Sequence, residues 1–484
     1  MAATPKADNG TMLIDGHWIT ATAHDVRAPA DGAVVGHIDW AGPDAATCAG
    51  RAADAAADAF AGWADRPARE RADILLEASR LIAERKEELG ALLARESGKR
   101  LPEGVAELNF SAEYFRWFAE EVRRPRGHHL TPEAPGRHHL TTRWPAGVVA
   151  SLTPWNFPCS IQARKLAPAL AAGCTVVARV SEKAPLAVTE MIRCLTDAGV
   201  PAGVVNLVHG PAREVTTALL EHRAVRVVTF TGSTEVGRQI MATAAGRVVR
   251  PLLELGGDGA FIVFDDADLD AAVEGAMLAK FRNNGQSCVA ANRFFVQDGV
   301  YEEFTRRLSA RVDAMSVGDP LASQTPDLGP LIDQARVEDV HTVVEDALGR
   351  GARRLTREHE LPTSGSYYGP VLLSDVPDDA QLATREVFGP AAGVFRFTDE
   401  DDVVARANAT EMGLAGYAFT RDAARCWRLS ERLDVGILGV NDPLPSVAYA
   451  PMGGTKQSGL GREGADLGLE EFQELRYVAW RETA

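Results

Sequence analysis

From residue 146 onward, short apolar segments alternate with helical segments, and this alternation limits the possible folds more than any other feature. The first strand candidates are 146–152, 174–180, 203–208 and 225–230, and the helical segments between them are 161–172, 184–198 and 211–222. Short apolar strands separated by helices are typical of a parallel sheet that is covered on both faces. The sequence therefore predicts a dinucleotide-type α/β domain, with ligands bound at the carboxyl ends of its strands.

A second α/β series follows the first. Its strand candidates are 260–264, 292–297, 414–419 and 435–440, with helical segments between them. The two series meet near residue 256. A chain of 484 residues is too long for one simple core and suits two or three domains. The predicted fold class is α/β, with two doubly wound domains.

Residues 51–122 predict helices, because apolar residues recur at helical spacing from Ile74 to Leu93. Gly98 in "SGK" is suited to a C-terminal helix cap. A later helix in this range carries aromatic residues on one side, namely Phe110, Tyr114, Phe115 and Phe118. We interpret this aromatic side as core, and the alternative is that one or two of its rings face a substrate pocket.

The segment 123–144 is rich in proline, arginine and histidine and interrupts the first α/β series. It predicts a polar arm or hairpin at a subunit contact. The pairs His128-His129 and His138-His139 lie ten residues apart. Because no cysteine or carboxylate cluster accompanies them, a solvated strand or loop is favoured over a metal site. We expect no metal.

Charge and cysteine usage exclude several classes of protein. A net charge of −16 disfavours free binding to nucleic acid, and an anionic substrate would need a local cationic pocket. No apolar run approaches the roughly 20 residues that span a bilayer. The N-terminus has no basic start followed by an apolar core, so no secretory signal is expected. Six scattered cysteines favour free thiols in a cytoplasmic protein.

Asn156 lies in "TPWNFP", directly after the first strand of the α/β pattern. It is flanked by aromatic residues and prolines, and a rigid, dry setting suits an amide that stabilises an oxyanion. The alternative is a turn in which the asparagine side chain bonds its own backbone. This stretch alone leaves both interpretations open.

Glu254 lies in "LELGG", where an apolar strand ends in two glycines. A buried carboxylate is costly unless it is paired or protonated. Burial raises a carboxyl pKa, which improves a general base near neutral pH. A buried ion pair is the alternative, and the stretch alone does not decide between them.

Cys288 lies in "NNGQSCVAANR", among polar rather than apolar neighbours. The thiolate is the reactive form of cysteine, so a nucleophile here requires a site that favours the anion. A structural thiol is the equally open alternative. A fourth stretch, "FTGSTEVG", follows a strand and opens a helix, so that Gly232 and Ser233 suit a pyrophosphate. Because it is not GxGxxG, this signal is weak by itself.

Together these stretches resemble the aldehyde dehydrogenase superfamily. The resemblance runs from "DGHWI" at 15–19 to "KQSGLGREG" at 456–464 and includes "PALAAGCTVV", "EVFGP" and "GGTKQSGLGREG". It is closest to succinate-semialdehyde dehydrogenase, through "KFRNNGQSCV" and "ANRFFVQDGVYEEF". The resemblance implies an aldehyde dehydrogenase-like fold, oxidation of an aldehyde to an acid, and a homodimer or homotetramer.

The resemblance also implies roles for individual residues. Cys288 would attack the aldehyde and form a thiohemiacetal and then a thioester, Asn156 would hold the oxyanion, and Glu254 would activate water. Lys165 would give structural or cofactor-side support. The implied cofactor-binding residues are Thr153, Trp155, Arg179, Ser181, Glu182, Gly232, Ser233, Leu255, Glu386 and Phe388.

The subfamily binds the distal carboxylate of its substrate, and Arg164, Arg282 and Ser446 fall at the corresponding positions. Arginine supplies the bidentate cation that a carboxylate needs. The alternative for either arginine is a surface or interdomain salt bridge. The expected substrate is succinic semialdehyde, and the alternatives are another ω-carboxy aldehyde, such as glutarate semialdehyde, or an aldehyde of specialised metabolism.

Several positions depart from the family pattern. Arg179 replaces a usual lysine and would tolerate a 2′-phosphate, whereas Glu182 would repel one, so NAD is favoured and NADP is possible. Asp258 is unusual after "LELGG", and we expect little effect on the chemistry. Ala290 stands where a second cysteine is common, which predicts no disulfide switch. Met452 stands where phenylalanine is common and would widen a pocket wall, and the loop 442–449 is unlike its family counterpart.

The resemblance implies a division of the chain. Residues 1–122 and 145–256 would form the dinucleotide-binding domain, 257–455 the catalytic domain, and 123–144 with 469–484 an oligomerisation arm. Two other classes are disfavoured. A cysteine hydrolase or acyltransferase would need a histidine base, and no histidine lies in the "TPWNFP", "LELGG" or "NNGQSCVAANR" stretches. A non-catalytic relative would be expected to lack the cysteine or the glutamate.

Overall fold

A computed structural model describes residues 10–124 and 127–482. Within this part of the chain the strands are β1 Met12–Ile14, β2 His17–Ile19, β3 Thr22–Arg27, β4 Val34–Trp40, β5 His128–Leu130, β6 Arg137–Pro145, β7 Val148–Thr153, β8 Thr175–Val180, β9 Val205–Leu207, β10 Val225–Thr231, β11 Arg250–Glu254, β12 Gly259–Val263, β13 Ala291–Gln297, β14 Arg353–Arg354, β15 Val371–Ser374, β16 Ala391–Phe397, β17 Met412–Gly413, β18 Ala415–Phe419, β19 Ile437–Val440, β20 Thr455–Lys456, β21 Gly459–Leu460 and β22 Gln473–Arg481.

The α-helices are α1 Ala45–Ala64, α2 Ala68–Glu84, α3 Lys86–Ser97, α4 Leu101–Glu121, α5 Pro158–Ala172, α6 Leu186–Asp197, α7 Ala212–Glu221, α8 Thr234–Ala245, α9 Leu269–Phe281, α10 Tyr301–Asp313, α11 Gln334–Gly349, α12 Gln381–Thr384, α13 Glu400–Asn408, α14 Ala423–Arg432 and α15 Ala465–Glu470. Short 3₁₀ turns cover Gly42–Asp44, Arg282–Gly285 and Asp298–Val300. None of the helices in the described part of the chain combines the length and the apolar character needed to cross a membrane.

The first large sheet has the order β2-β1-β9-β8-β7-β10-β11-β21. Its centre, from β9 to β11, is parallel, and β1, β2 and β21 add antiparallel edges. Apolar clusters cover both faces, one built with α5 and α6 and the other with α1 and α7. The four predicted strands of the first series are all present, although the predicted 203–208 strand is shortened to β9.

The second large sheet has the order β14-β15-β16-β13-β12-β18-β19 and is parallel except for β14. The chain leaves the first sheet at Glu254 and enters the second at Gly259. A fold of two large, mainly parallel sheets confirms the predicted fold class. In the first sheet, the loops at the carboxyl ends of the parallel strands carry candidate residues such as Asn156 and Ser233, as expected for open α/β sheets. In the second sheet, Cys288 precedes β13 and Glu386 precedes β16, so these candidates lie at the amino ends of their strands.

The predicted helices of 51–122 are present as four elements, and α1 begins before residue 51. Gly98 ends α3 with a left-handed backbone, at φ 79°. On α4, the side chains of Tyr114, Phe115 and Phe118 are buried, which confirms the core interpretation for these three rings. Phe110 is only partly buried and lines a pocket described below.

The predicted hairpin is present in a small separate sheet. β5 pairs with β6, and β22 pairs with the other side of β6 over nine residue pairs. Trp144, Tyr477 and Trp480 leave large apolar surfaces exposed on this sheet. Residues 1–9, 125–126 and 483–484, which the sequence assigns to the first domain and the arm, lie outside the described residues.

Candidate active site

Cys288 follows a loop with an unusual backbone. Asn283, Asn284 and Gly285 all have positive φ, at 53°, 58° and 74°. Asparagine and glycine tolerate this left-handed region better than other residues. A Cβ on Gly285 would lie 2.2 Å from the carbonyl oxygen of Gly389, so the close approach requires glycine. The sequence "NNG" therefore supplies the tight turn that presents the cysteine.

Side chains of the loop anchor it to its surroundings. Asn284 donates to the Pro330 carbonyl at 2.8 Å and accepts from the Gly329 N–H at 2.8 Å. Gln286 accepts from the Ile332 N–H at 3.0 Å. The backbone N–H of Asn283 donates to Glu103 of α4 at 3.0 Å. These long-range bonds fix the loop before Cys288 against both α4 and the loop around residue 330.

Asn156 lies between β7 and α5 and is buried. Its side-chain Nδ2 donates to the backbone carbonyl of Gln286 at 3.1 Å. The amide therefore reaches the loop before Cys288 and does not fold back on its own backbone, so the alternative interpretation of this stretch is wrong. Its backbone carbonyl accepts from Lys99 and from the Asn283 side chain, each at 2.9 Å.

Glu254 is the last residue of β11 and is 2% exposed. Neither carboxylate oxygen has a hydrogen-bond partner in the described part of the chain, and no ion pair there includes it. Burial and the neighbouring Glu463 carboxylate raise the pKa of Glu254 well above the usual carboxyl range, although Lys165 and Arg164 act in the opposite direction. The buried-ion-pair alternative is not found, and an unengaged carboxyl faces the pocket.

One pocket, with a volume of about 240 Å³, brings the predicted groups together. Cys288 and Glu254 line it, together with Arg164, Arg282 and Ser446. The other lining residues are Glu103, Ala106, Glu107, Phe110, Phe157, Ser160, Ile161, Thr231, Ser287, Val289, Leu444 and Met452. Cys288, Glu254 and the three predicted substrate-binding residues thus share one largely apolar cavity. Asn156 is not in its lining, but the next residue in the chain, Phe157, is.

The surroundings of Cys288 shift the pKa of its thiol. Burial raises the pKa of the thiol to about 12, and the Glu386 carboxylate acts in the same direction. The guanidinium of Arg164 lowers it, but by less than burial raises it. In the free protein the surroundings of the thiol thus disfavour the anion, because desolvation acts on it more strongly than the arginine does, and these residues alone do not supply the condition that a nucleophile requires.

The two arginines of the pocket have different surroundings. Arg164 is buried, lies over the Tyr114 ring at 5.3 Å and approaches the Glu463 carboxylate at 3.6 Å. Arg282 lies over the Phe157 ring at 5.3 Å and has no ion pair in the described part of the chain. The salt-bridge alternative is thus present for Arg164, while Arg282 keeps its charge available at the pocket.

Gly232 and Ser233 connect β10 to α8 at the carboxyl edge of the first sheet. Ser233 caps α8, and its hydroxyl accepts from the Val236 N–H at 3.4 Å. A helix N-terminus at such an edge favours an anion. Leu255 packs against α8, where a Cβ on Gly237 would lie 2.6 Å from it. Thr153 is buried, and its hydroxyl donates to Gln162 at 2.9 Å.

Glu386, Phe388 and Trp155 lie near the junction of the two sheets. Glu386 accepts from the Gly257 N–H at 3.1 Å, and burial raises the pKa of its carboxyl to about 7. The rings of Trp155 and Phe388 meet edge to face, with centroids 5.5 Å apart. These three predicted residues therefore lie near the segment 255–258, where the chain crosses from the first sheet to the second.

Arg179 lies near the end of β8, and Ser181 and Glu182 follow that strand at the same edge of the first sheet. Arg179 donates to the Glu182 carboxylate at 2.6 Å and to the Gly210 carbonyl at 3.2 Å, while its buried Nε has no partner in the described residues. The Ser181 hydroxyl accepts from the Lys183 N–H at 3.3 Å. An orphan guanidinium nitrogen, a carboxylate and the N-terminus of α8 fit the donors and acceptors that a dinucleotide presents.

Sequence reasoning missed a second set of buried charges around the pocket. Lys99 pairs with Glu107, and Lys165 pairs with Glu463 at 2.5 Å. The available signal was the spacing of Glu103 and Glu107 on α4, because two carboxylates four residues apart face the same side of a helix that is otherwise largely buried. No group of three or more metal-ligating side chains occurs in residues 10–124 and 127–482.

A family model described as the aldehyde dehydrogenase family matches residues 18–478. The chain is 43% identical over 469 residues to the NADP(+) succinate-semialdehyde dehydrogenase of Escherichia coli strain K12, with 96% of each chain covered. A 3-sulfolactaldehyde dehydrogenase of Pseudomonas putida is also 43% identical, again with 96% of each chain covered. A crystal structure of an aldehyde dehydrogenase from Brucella melitensis biovar abortus 2308 has a TM-score of 0.96 at 42% identity and covers 100% of both chains.

Proposed function

The chain belongs to the aldehyde dehydrogenase family and is an NAD(P)-dependent aldehyde dehydrogenase, and on this premise we propose that it oxidises succinic semialdehyde to succinate through Cys288. One observation carries the proposal. The pocket of about 240 Å³ has the thiol and the unengaged Glu254 carboxyl in its lining together with two guanidinium groups. An aldehyde with an anion at its far end matches both ends of this cavity.

In the proposed reaction, the Cys288 sulfur attacks the aldehyde carbon and forms a thiohemiacetal. The side-chain Nδ2 of Asn156 and the backbone N–H of Cys288 hold the oxyanion. A nicotinamide held by Glu386 and Phe388 would supply the hydride acceptor needed to oxidise the thiohemiacetal to a thioester. Because burial raises the pKa of the thiol to about 12, the thiol carries its proton in the free protein, and in this proposal the proton passes to water as the sulfur bonds to the aldehyde carbon.

Glu254 then activates water to release the acid. Its carboxyl is buried and unpartnered in the described residues, and its pKa is raised by burial and by Glu463. A carboxylate with a raised pKa is a stronger base once it has lost its proton. Water attacks the thioester carbon, Glu254 takes the proton, and the Cys288 thiolate leaves with the electron pair.

Arg282, Arg164 and Ser446 bind the far end of the substrate in this proposal. Arg282 has the free charge and Arg164 supports it from the buried side, close to Met452 and the Ser446 hydroxyl. A sulfonate-bearing aldehyde is the second candidate, because a 3-sulfolactaldehyde dehydrogenase is as similar to the chain as the succinate-semialdehyde dehydrogenase. A guanidinium fork binds either anion.

We further propose NAD as the preferred cofactor, with NADP tolerated, because the Glu182 carboxylate next to Arg179 disfavours a second phosphate. In the same proposal, Glu386 and Phe388 hold the nicotinamide end. Residues 1–122 and 145–256 form the cofactor domain and 257–455 the catalytic domain. The arm of 123–144 and 469–484 joins two or four copies, in keeping with the exposed rings on its sheet.

The test is a panel of aldehydes assayed with both cofactors, following the absorbance of the reduced nicotinamide. The panel contains succinic semialdehyde, glutaric semialdehyde, 3-sulfolactaldehyde and uncharged butanal. We expect the highest kcat/KM for succinic semialdehyde with NAD, and loss of activity in Cys288→Ala but not in Cys48→Ala, which changes a cysteine of α1. Equal activity on butanal, or full activity of Cys288→Ala, would overturn the proposal.

A further inference from the structure

A buried ion pair lies at the pocket wall, where Glu107 is one of the lining residues. Lys99 directly follows the Gly98 cap of α3, and Glu107 lies in the second turn of α4. The two side chains are in contact and are 0% and 2% exposed. Burying two charges costs desolvation energy, and apolar side chains of similar volume often stabilise a fold as well. The presence of this pair therefore needs a reason other than stability.

The atoms of the pair converge on the segment that carries Asn156. One Glu107 oxygen binds Lys99, and the other accepts from the N–H groups of Cys159 and Ser160 at 2.9 and 3.2 Å. These two N–H groups belong to the first turn of α5, where a carboxylate is favourable. The Lys99 ammonium also donates to the Asn156 carbonyl at 2.9 Å. The backbone is thus held on both sides of Phe157.

The same helix holds the loop before Cys288. Glu103, one turn before Glu107 on α4, accepts from the Asn283 N–H at 3.0 Å. The Asn283 side chain in turn donates to the Asn156 carbonyl at 2.9 Å and to the Gln286 carbonyl at 3.1 Å. Two carboxylates on one face of α4 therefore fix the separation between the Asn156 amide and the loop that ends at Cys288.

The ring between them is fixed as well. The Lys99 ammonium lies 4.5 Å from the centroid of the Phe157 ring, and the Arg282 guanidinium lies 5.3 Å from the same centroid. Cations placed over an aromatic face are attracted to it. Lys99 therefore constrains two neighbouring groups, namely the backbone carbonyl oxygen of Asn156 and the ring of Phe157.

We propose that the Lys99–Glu107 ion pair is a positioning element for the reaction, which sets the Asn156 amide at the distance from Cys288 where it can hold the oxyanion. This inference rests on the proposed function. A preorganised oxyanion donor loses most of its effect when it is displaced, because the donor must match the position of the developing charge. Neither Lys99 nor Glu107 is assigned contact with the reacting atoms.

The test is a double-mutant cycle on the full-length enzyme, with succinic semialdehyde and NAD. We expect Lys99→Met to lower kcat by about tenfold or more. This loss should be smaller than the roughly 100- to 1000-fold loss that follows removal of an oxyanion donor. In an Asn156→Ala background, the same change should lower kcat less than about twofold, because the group being positioned is absent. Lys99→Arg, which keeps a donor for both partners, should recover most of the rate.

A structural role gives a different result, namely the same loss in both backgrounds, and this outcome overturns the inference. Should Lys99→Met fail to fold, Glu107→Gln carries the same cycle, because it removes the charge that pairs with Lys99. Glu96→Gln is the matched control, because Glu96 is a buried carboxylate that accepts from the Leu186 and Ala187 N–H groups at 2.7 and 2.9 Å. Its kcat should stay within about twofold of the parent in both backgrounds.

The two proposals fail in different ways. If the proposed function is wrong, the parent enzyme does not oxidise succinic semialdehyde, and its best substrate is butanal or another aldehyde. If only the positioning role is wrong, the parent enzyme is active and the cycle is additive. The KM for the aldehyde should change less than kcat in Lys99→Met, since Lys99 bonds the backbone carbonyl of Asn156 and the pair makes no hydrogen bond or ion pair with Arg164 or Arg282 within the described residues.

Discussion

Arg179 donates to the Glu182 carboxylate at 2.6 Å, so the cation that would attract a 2′-phosphate is already paired with an anion. The Arg179 pair also lowers the pKa of Glu182, although burial acts against it, so the carboxylate stays charged near neutral pH. The balance between these two residues is what decides the proposed preference for NAD over NADP.

The first prediction changes this balance. Glu182→Gln removes a carboxylate that would repel a phosphate and releases the Arg179 guanidinium. We expect the ratio of kcat/KM for NADP to that for NAD to rise about tenfold, which corresponds to ~1.4 kcal/mol. Glu190→Gln is the matched control, because Glu190 also pairs with arginines, at 2.9 and 3.2 Å, but on α6. A similar change in both variants would contradict the prediction.

The second prediction concerns the pH dependence set by Glu254. The buried carboxyl has a pKa raised well above its usual range, so the basic form is gained only as the pH rises through that raised value. We expect kcat to increase with pH on a limb that Glu254→Gln removes. In that variant, steady-state kcat should fall about 100-fold, the lower end of the range for a general base.

A rapid-mixing measurement separates this role from a general loss of activity. If Glu254 acts on water, Glu254→Gln should still form a burst of reduced nicotinamide close to one equivalent per active site, because the thioester forms before hydrolysis. The absence of a burst, with normal cofactor binding, would assign the carboxyl to deprotonation of Cys288 instead.

The third prediction concerns the free cation of the pocket. Arg282 lies over Phe157 without an ion pair in the described residues, whereas Arg164 is close to Glu463. We expect Arg282→Met to raise the KM for succinic semialdehyde about 10- to 100-fold, the range expected for a lost hydrogen bond to a charged group. The KM for butanal should be unchanged, and Arg282→Lys should lie between the two.

The sequence predicted best those features that depend on neighbouring residues. The alternation of apolar strands and helices, the Gly98 cap and the tight "NNG" turn follow from local propensity, and the structure has them within a few residues. The shortened β9 is an exception, because only three of its residues pair with neighbouring strands. Convergence of Cys288 and Glu254 on one pocket was predicted only with the help of the family resemblance.

The features that could not be predicted depend on contacts between distant parts of the chain. Lys99 and Asn156 are 57 residues apart, and Glu103 and Asn283 are 180 apart. Charged residues on a helix are most often solvated, so the spacing that puts Glu103 and Glu107 on one face of α4 does not by itself mark that face as buried. The raised pKa of the Cys288 thiol could not be predicted for the same reason, since its polar neighbours in sequence do not report the desolvation that the folded protein imposes on it.

The last prediction concerns stability and the Glu96 carboxyl of α3. Burial raises its pKa to about 8 from an ordinary value of 4.5, although two backbone N–H groups act in the opposite direction. The folded protein therefore holds a proton between these pH values that the unfolded chain releases, so this group's contribution to the free energy of unfolding falls as the pH rises from 4.5 to about 8. Glutamine does not titrate, so Glu96→Gln should show a smaller decline in Tm than the parent over this window. Thermal unfolding of both proteins at a series of pH values measures the difference, and parallel curves would show that Glu96 does not titrate there.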